Sequence, residues 1–125
     1  MRSILFKAKK LSDGKWVKGS LVKTPFGTFI EWYEDSICNK REVDPDTICM
    51  FTGLKDCKGK EIWEGDMLSN VTNDSPDGIV VFKYGAFSLL AKNGRDFCVA
   101  LTYLLSEKDS LNRFKVVGNK FDKKK

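Results

Sequence analysis

Apolar and polar positions alternate along this chain in short runs, and turn residues separate the runs every eight to twelve positions. No stretch keeps the 3.6-residue period of an amphipathic helix. In residues 16–22, for example, Trp16, Lys18 and Ser20 alternate with Val17 and Leu21, which is the two-residue period of a strand. The pattern predicts strands over residues 4–9, 16–22, 28–33, 79–84, 86–92 and 114–117.

The segments between these runs predict turns and loops. Turns are expected at residues 12–14, 25–27 and 93–94, a loop at 73–78, and a polar loop at 34–41. Residues 43–46 are either a turn or a helix start that Asp44 or Asp46 caps. Residues 97–105 are apolar, and their pattern leaves strand and short helix open. The sequence therefore predicts a mainly β domain, β-rich α+β at most, with short antiparallel strands over residues 1–121 and a basic, disordered tail at 122–125.

Residues 51–68 form the densest motif of the chain, FTGLKDCKGKEIWEGDML. Gly59 and Gly65 can make two reversals, because glycine readily adopts a positive φ. Asp66 can fix the second reversal by accepting backbone N–H groups. A Gly-Asp pair that opens a strand is also a familiar start of a strand in small SH3-like barrels, which is an analogy of shape. The predicted structural residues of the motif are Thr52, Gly53, Leu54, Gly59, Ile62, Trp63, Gly65 and Asp66.

This motif resembles that of the YopX family of small phage and prophage proteins. The matching parts are residues 52–56, 59–62, the aromatic Trp63, 64–66 and the apolar pair 67–68. The opening residues 6–8 and 15–19, the approach at 43–47 and the close at 117–119 fit the family as well. The resemblance implies a β-rich fold with a barrel-like C-terminal half, a phage or prophage origin, a cytoplasmic setting, self-association and no established activity.

Three positions depart from the pattern that this family shows. Cys49 and Met50 stand where a small residue and a glutamine are expected, and Cys57 stands where a polar residue is usual. A binding role for that glutamine in relatives would not carry over to Met50.

The chain contains no histidine, which removes the commonest general base and most catalytic zinc sites. The four cysteines are too far apart in sequence for a zinc knuckle, and we expect them to be reduced thiols. The apolar run at the start is too short for a signal peptide or a membrane span. No catalytic constellation and no cofactor motif is present, so the sequence predicts a cytoplasmic protein that is not an enzyme.

Charge is distributed unevenly along the chain. Residues 1–30 carry a balance of +6, residues 31–77 carry −7, and residues 78–125 carry +6. A basic–acidic–basic chain can bind a polyanion, or it can pair with a second copy of itself.

The candidate interaction residues are Glu61, Glu64, Trp16, Lys15 and Lys18. Lysines that alternate with tryptophan are typical of surfaces that bind single-stranded nucleic acid, although aromatic residues at strand spacing more often form a core. Glu61, Glu64 and Asp66 are the best candidates for a carboxylate metal site, with turn stabilisation as the structural alternative.

Three hypotheses follow from the sequence. The first is a phage accessory protein that acts through contacts with a phage or host protein or, as a homo-oligomer, with itself. The alternatives are a nucleic-acid-binding protein and, third, a carboxylate-metal enzyme.

Overall fold

A computed structural model describes residues 5–70, 76–83, 85–91, 98–101, 110–111 and 114–122. The chain divides into two compact units, Met1–Phe51 and Thr52–Lys125. The single domain predicted over residues 1–121 stays a prediction. Of the predicted tail at 122–125, Asp122 alone is among the described residues.

The first unit is an antiparallel sheet with the strand order β5-β1-β2-β3-β4. Its strands are β1 (Phe6–Lys9), β2 (Trp16–Thr24), β3 (Gly27–Glu34), β4 (Ile37–Glu42) and the first residues of β5 (Cys49–Asp56). The sheet curls on itself, because Val43, the residue after β4, forms a bridge with Lys10, the residue after β1. The backbone N–H of Leu11 donates to the Glu42 carbonyl at 3.1 Å and extends this closure.

The core of the first unit comes from alternate positions of its strands. Ala8, Ile30 and Val43 are almost fully buried. Residues two positions apart on a strand point to the same side, so the residues that pack around these three share their side of the sheet. They are Phe6, Val17, Leu21, Trp32 and Ile48. The intervening positions on β1 and β2 face away from this core.

Strand β4 corrects the loop that the sequence predicted at residues 34–41. Asp35 and Ser36 both have positive φ, 49° and 67°, which is the backbone that a two-residue hairpin turn requires. The polar strand that follows lies at the edge of the sheet, and most of its residues are exposed. It therefore lacks the apolar side by which a strand is recognised in a sequence. The loop prediction was wrong because a strand with solvent on both sides has the polar sequence that is also typical of a loop.

The segment after β4 makes a single 3₁₀ turn at Pro45–Thr47. Asp44 caps it, since its carboxylate accepts the Asp46 N–H at 3.0 Å. Of the two predicted alternatives, a turn or a helix start, the structure shows a single 3₁₀ turn, and Asp44 rather than Asp46 caps it.

The second unit holds the remaining strands: β6 (Glu61–Trp63), β7 (Asp66–Asn70), β8 (Pro76–Lys83), β9 (Ala86–Ala91), β10 (Cys98–Ala100), β11 (Ser110–Leu111) and β12 (Phe114–Asn119). Five of them form an antiparallel sheet in the order β10-β9-β8-β7-β12. The later residues of β5 pair with β6 and, in parallel, with β11. The core of this unit contains Ile62, Leu68, Val80, Leu101 and Phe114.

The mainly β fold of short antiparallel strands is confirmed, and no α-helix occurs in the described parts of the chain. Strand β8 already begins at Pro76, so the loop predicted at 73–78 was wrong for its last three residues. Proline is tolerated there because it is the first residue of the strand. Strand β12 ends at Asn119, two residues beyond the predicted end at residue 117.

Several predictions fall partly or wholly outside the described residues. The segment 97–105 contains strand β10, while residues 97 and 102–105 lie outside the described set. The turn predicted at 93–94 and residues 73–75 of the predicted loop lie outside it as well. Closure of the C-terminal half into an SH3-like barrel stays a prediction.

Candidate functional site

Trp16 and Lys18 lie two positions apart on β2 and therefore on the same side of the sheet. Lys18 is exposed and Trp16 is half-buried. The structure thus brings together two of the three N-terminal residues that the sequence singled out. Lys15 is exposed and precedes the strand, and successive residues point to opposite sides, so it does not join them.

Two further lysines complete this group, and both come from the neighbouring strand β1. Lys9 lies directly opposite Trp16, and Lys7 lies directly opposite Lys18. The Lys7 Nζ is 4.6 Å from the centre of the Trp16 ring, and the Lys9 Nζ is 5.3 Å from it. Both distances are within the range of cation–π attraction. We call Lys7, Lys9, Trp16 and Lys18 the lysine–tryptophan cluster.

Lys7 and Lys9 were missed from the sequence because their proximity depends on the strand register. The turn at residues 12–14 was recognised, and it did identify β1 and β2 as a hairpin. Pairing the two strands so that Ala8 and Val17 share the core side would have placed Lys7 and Lys9 beside Trp16.

The hairpin that carries this cluster is strongly basic. Residues 5–24 contain six lysines and a single carboxylate, that of Asp13. Asp13 lies in the turn, where it accepts the Lys15 N–H at 2.9 Å and forms an ion pair with the Lys10 Nζ at 3.0 Å. These two interactions, the backbone N–H of Lys15 first and then Lys10, lower the pKa of Asp13 below its usual value. The one carboxylate of the hairpin therefore stays ionised and is engaged at the turn, away from the cluster.

A second aromatic–lysine pair lies further along the first unit. The Lys40 Nζ is 4.9 Å from the centre of the Phe29 ring, and the two residues belong to the neighbouring strands β4 and β3. Phe29 lies opposite Val22, which is six positions after Trp16 on β2. An even separation keeps both aromatic residues on the same side of the sheet.

The β3–β4 hairpin exposes two large apolar side chains. Tyr33 is 68% exposed and Ile37 is 65% exposed. Tyr33 lies opposite Cys38, and a hydrogen bond with the Cys38 side chain raises the pKa of the Tyr33 hydroxyl. Exposed carboxylates, those of Glu34, Asp35 and Glu42, lie on the same hairpin.

Glu61 and Glu64 lie in the second unit, on β6 and in the turn that follows it. Both are half-buried, and both make interactions with other groups of the protein. Asp66 does not share their surroundings, because it is 2% exposed and accepts the Trp63 N–H at 2.7 Å. Within the described residues, no group of three or more metal-ligating side chains comes together.

The central motif is held together by its own polar side chains. The Thr52 hydroxyl donates to the Ile62 carbonyl at 2.7 Å and accepts the Leu54 N–H at 3.1 Å. Ile62 and Trp63 are buried. Gly53, Gly59 and Gly65 all have positive φ, and at Gly65 any side chain would also press against the Asn119 amide. The motif supplies turns and core contacts to the second unit.

Asp56 is a buried residue of this motif, and the sequence did not reveal its hydrogen bond to a residue far along the chain. One carboxylate oxygen accepts the N–H groups of Lys58 and Lys60, each at 2.9 Å. The other accepts the N–H of Val116, sixty positions away on β12, at 2.9 Å. The turn at residues 56–60 is thereby joined to the last strand.

The described cysteines and helices add no further site. Cys38 is exposed, Cys49 is buried and Cys57 is half-buried, and none of the three forms a disulfide. No helix in the described part of the chain is both long enough and apolar enough to cross a membrane.

The family model described as YopX protein matches residues 5–124, which is nearly the whole chain. The comparison with curated proteins finds no match. The expected resemblance is therefore confirmed along the length of the chain.

Proposed function

The chain belongs to the YopX protein family, and on this premise we propose that it is a phage- or prophage-derived accessory protein that binds nucleic acid in the cytoplasm and catalyses no reaction. Membership of this family does not identify an activity or a ligand. The proposal for a ligand therefore depends on the surface chemistry of the first unit.

The observation that supports this proposal is the lysine–tryptophan cluster. Three ammonium groups and one indole ring occupy adjacent positions on one side of β1 and β2. No acidic residue occurs on either strand, since Asp13 lies in the turn between them. A positive surface of this kind attracts phosphates and gains affinity by releasing the counterions of the nucleic acid.

The test is a binding titration that follows the fluorescence anisotropy of labelled single- and double-stranded DNA and RNA. We expect micromolar dissociation constants at about 50 mM salt and a steep loss of affinity by about 200 mM. A variant with Lys7→Gln, Lys9→Gln and Lys18→Gln should bind more weakly, and its slope of log K against log salt should be smaller by about 2 to 3.

The matched control is a variant with Lys55→Gln, Lys58→Gln and Lys60→Gln. These three lysines are exposed and belong to the second unit, so the control loses the same net charge at another place. We expect it to retain most of the affinity. Equal losses in both variants would contradict the assignment to the cluster, and no binding by the wild-type protein at low salt would reject the proposal.

Self-association is a second candidate function, and the charge arrangement of the first unit favours it. The β1–β2 hairpin is basic, while the β3–β4 hairpin exposes Glu34, Asp35 and Glu42 beside the apolar Tyr33 and Ile37. The β3–β4 hairpin also exposes Lys40 and Arg41, but its four carboxylates outnumber these two cations, so the basic hairpin of one copy is complementary in net charge to the β3–β4 hairpin of another. Sedimentation velocity over a range of concentrations tests this: we expect association that weakens with salt, and a monomer at all concentrations and salt levels would rule it out.

A further inference from the structure

We propose that Trp16 is a base-stacking residue and that the ligand of the first unit is therefore single-stranded nucleic acid, an inference that rests on the function proposed above. Trp16 differs in its surroundings from the other two tryptophans. Trp63 is 2% exposed, and Trp32 packs against the first core and donates its Nε1–H to Glu34 at 2.9 Å. Trp16 faces away from that core and retains solvent exposure.

The two lysines at the ring are placed to bind the phosphates of a stacked nucleotide. Their ammonium groups lie 4.6 and 5.3 Å from the ring centre. A base that stacks on the indole would displace flexible lysine side chains, which can then contact the phosphates on either side of that base. Stacking of this kind tolerates any sequence, since every base has a π-face.

An unpaired base is required for this contact. In a duplex the faces of each base are covered by its neighbours, so a duplex offers the cluster its phosphates alone. Stacking on an aromatic side chain adds a contribution that only a single strand can use. The cluster therefore favours single strands, while its lysines contribute to binding of both forms.

The pair of Phe29 and Lys40 lies on the same side of the sheet as Trp16. Phe29 is half-buried and lies on β3, opposite Val22, which is six residues after Trp16 on β2. This separation corresponds to about 20 Å of strand. Glu31, which lies opposite Ser20 and Lys40, and Glu42, which lies opposite Phe29, are on this side as well, so carboxylates flank the second pair and the proposal rests on the lysine–tryptophan cluster alone.

The experiment compares oligothymidine with a duplex of equal length at low salt. The Trp16→Leu variant should lose about tenfold or more of its affinity for the single strand, and its affinity for the duplex should change less than twofold. The Trp16→Phe variant keeps an aromatic face and should retain most of the single-strand affinity. Phe26→Leu is the control, because Phe26 is 90% exposed at the β2–β3 turn and lies outside the cluster.

Binding should also quench the tryptophan fluorescence of the wild-type protein, and Trp16→Phe should abolish most of this quenching. The measurement remains informative if Trp16→Leu fails to fold, which circular dichroism would reveal. Unchanged single-strand affinity in Trp16→Leu, or an absence of quenching in a wild-type protein that binds oligothymidine, would overturn the stacking role and leave nucleic-acid binding intact. An absence of all binding by the wild-type protein would overturn both proposals.

Discussion

The side-chain amide of Asn119 donates a hydrogen bond to the Asp66 carboxylate at 2.9 Å, and both residues are at least 96% buried. The other Asp66 oxygen accepts the Trp63 N–H, and the side-chain oxygen of Asn119, Oδ1, accepts the Phe121 N–H at 2.9 Å. A carboxylate in the central motif is thus connected to the last strand of the protein. Hydrogen bonds to a buried charge contribute more to stability than neutral ones.

We predict that Asp66→Ala lowers the free energy of unfolding by about 3 kcal/mol, because two buried donors lose a charged acceptor. Asn119→Ala should cost about 2 kcal/mol. The two losses should not add in the double variant, since the residues contact each other, and a coupling of at least about 1 kcal/mol is expected. Urea unfolding of the wild-type protein, the two single variants and the double variant measures this coupling. Strict additivity would contradict the importance of this bond, and Asp46→Ala, at an exposed position, serves as the control.

Asp56→Asn is predicted to loosen the last strand in particular. The substitution leaves one carbonyl oxygen, which can serve the turn, and replaces the acceptor of the Val116 N–H with an amide donor. We expect a loss of about 2 kcal/mol. Amide hydrogen exchange should show that Val116 exchanges faster, while the amides of the first unit keep their rates. Uniform acceleration across both units would show that Asp56 has no special connection to β12.

Gly19→Ala is predicted to destabilise the first unit severely. Gly19 is buried on β2, and an added Cβ would overlap the carbonyl oxygen of Glu31 and lie 3.1 Å from the Trp32 Cβ. These are backbone or backbone-adjacent atoms of β3, so β2 and β3 would have to separate. The cost should be about 3 kcal/mol or more.

Gly14→Ala provides the comparison for this prediction. Gly14 has a φ of +72° in an exposed turn, and no atom lies within 4 Å of its added Cβ. Its cost should be limited to the strain of that φ, about 1–2 kcal/mol. Thermal unfolding of both variants by circular dichroism gives the result, and equal costs would contradict the close approach of β2 and β3.

The pH dependence of Asp13 gives a further prediction. Its pKa is lowered in the folded protein by the Lys15 N–H and by Lys10. A lowered carboxyl pKa stabilises the protein above the unfolded value of 3.8, and this contribution is lost as the pH falls through the lower folded value. The stability difference between the wild-type protein and Asp13→Asn should therefore narrow below pH 3.8. An NMR titration should also find that Lys10→Met raises the pKa of Asp13 without restoring its usual value, because the Lys15 N–H remains. A fully restored value would show that Lys10 alone causes the shift.

The sequence predicts the parts of this protein in which one side of a strand is apolar. The strands with core residues, such as Ile30 and Val80, were recognised from their runs of β-branched, aromatic and other apolar residues. Strand β4 was missed, since most of its residues are polar on both sides and its turn has Ser36 where glycine is usual. A polar edge strand and a polar loop have the same composition.

Only part of the candidate site was predicted, and the reason is related. Trp16 and Lys18 lie on one strand, so their common side follows from spacing alone. Lys7 and Lys9 enter the cluster through the register of a second strand, which spacing within β2 cannot show. The bond from Asp56 to Val116 joins positions sixty apart, and its prediction would need the arrangement of the second unit.

The burial of Asp66 and Asn119 limits what membership of the family says about the activity of one of its members. Asp66 and Asn119 lie in segments that fit the YopX family, and both are enclosed in the protein and bonded to each other, so a match at these two positions reflects architecture. The side chains at positions 7, 9, 16 and 18 take no part in these bonds, although positions 7, 16 and 18 also lie in segments that fit the family. Members with the same motif and different residues at those four positions would share this scaffold and recognise different molecules, so relatives should be grouped by that surface before an activity is carried from one to another.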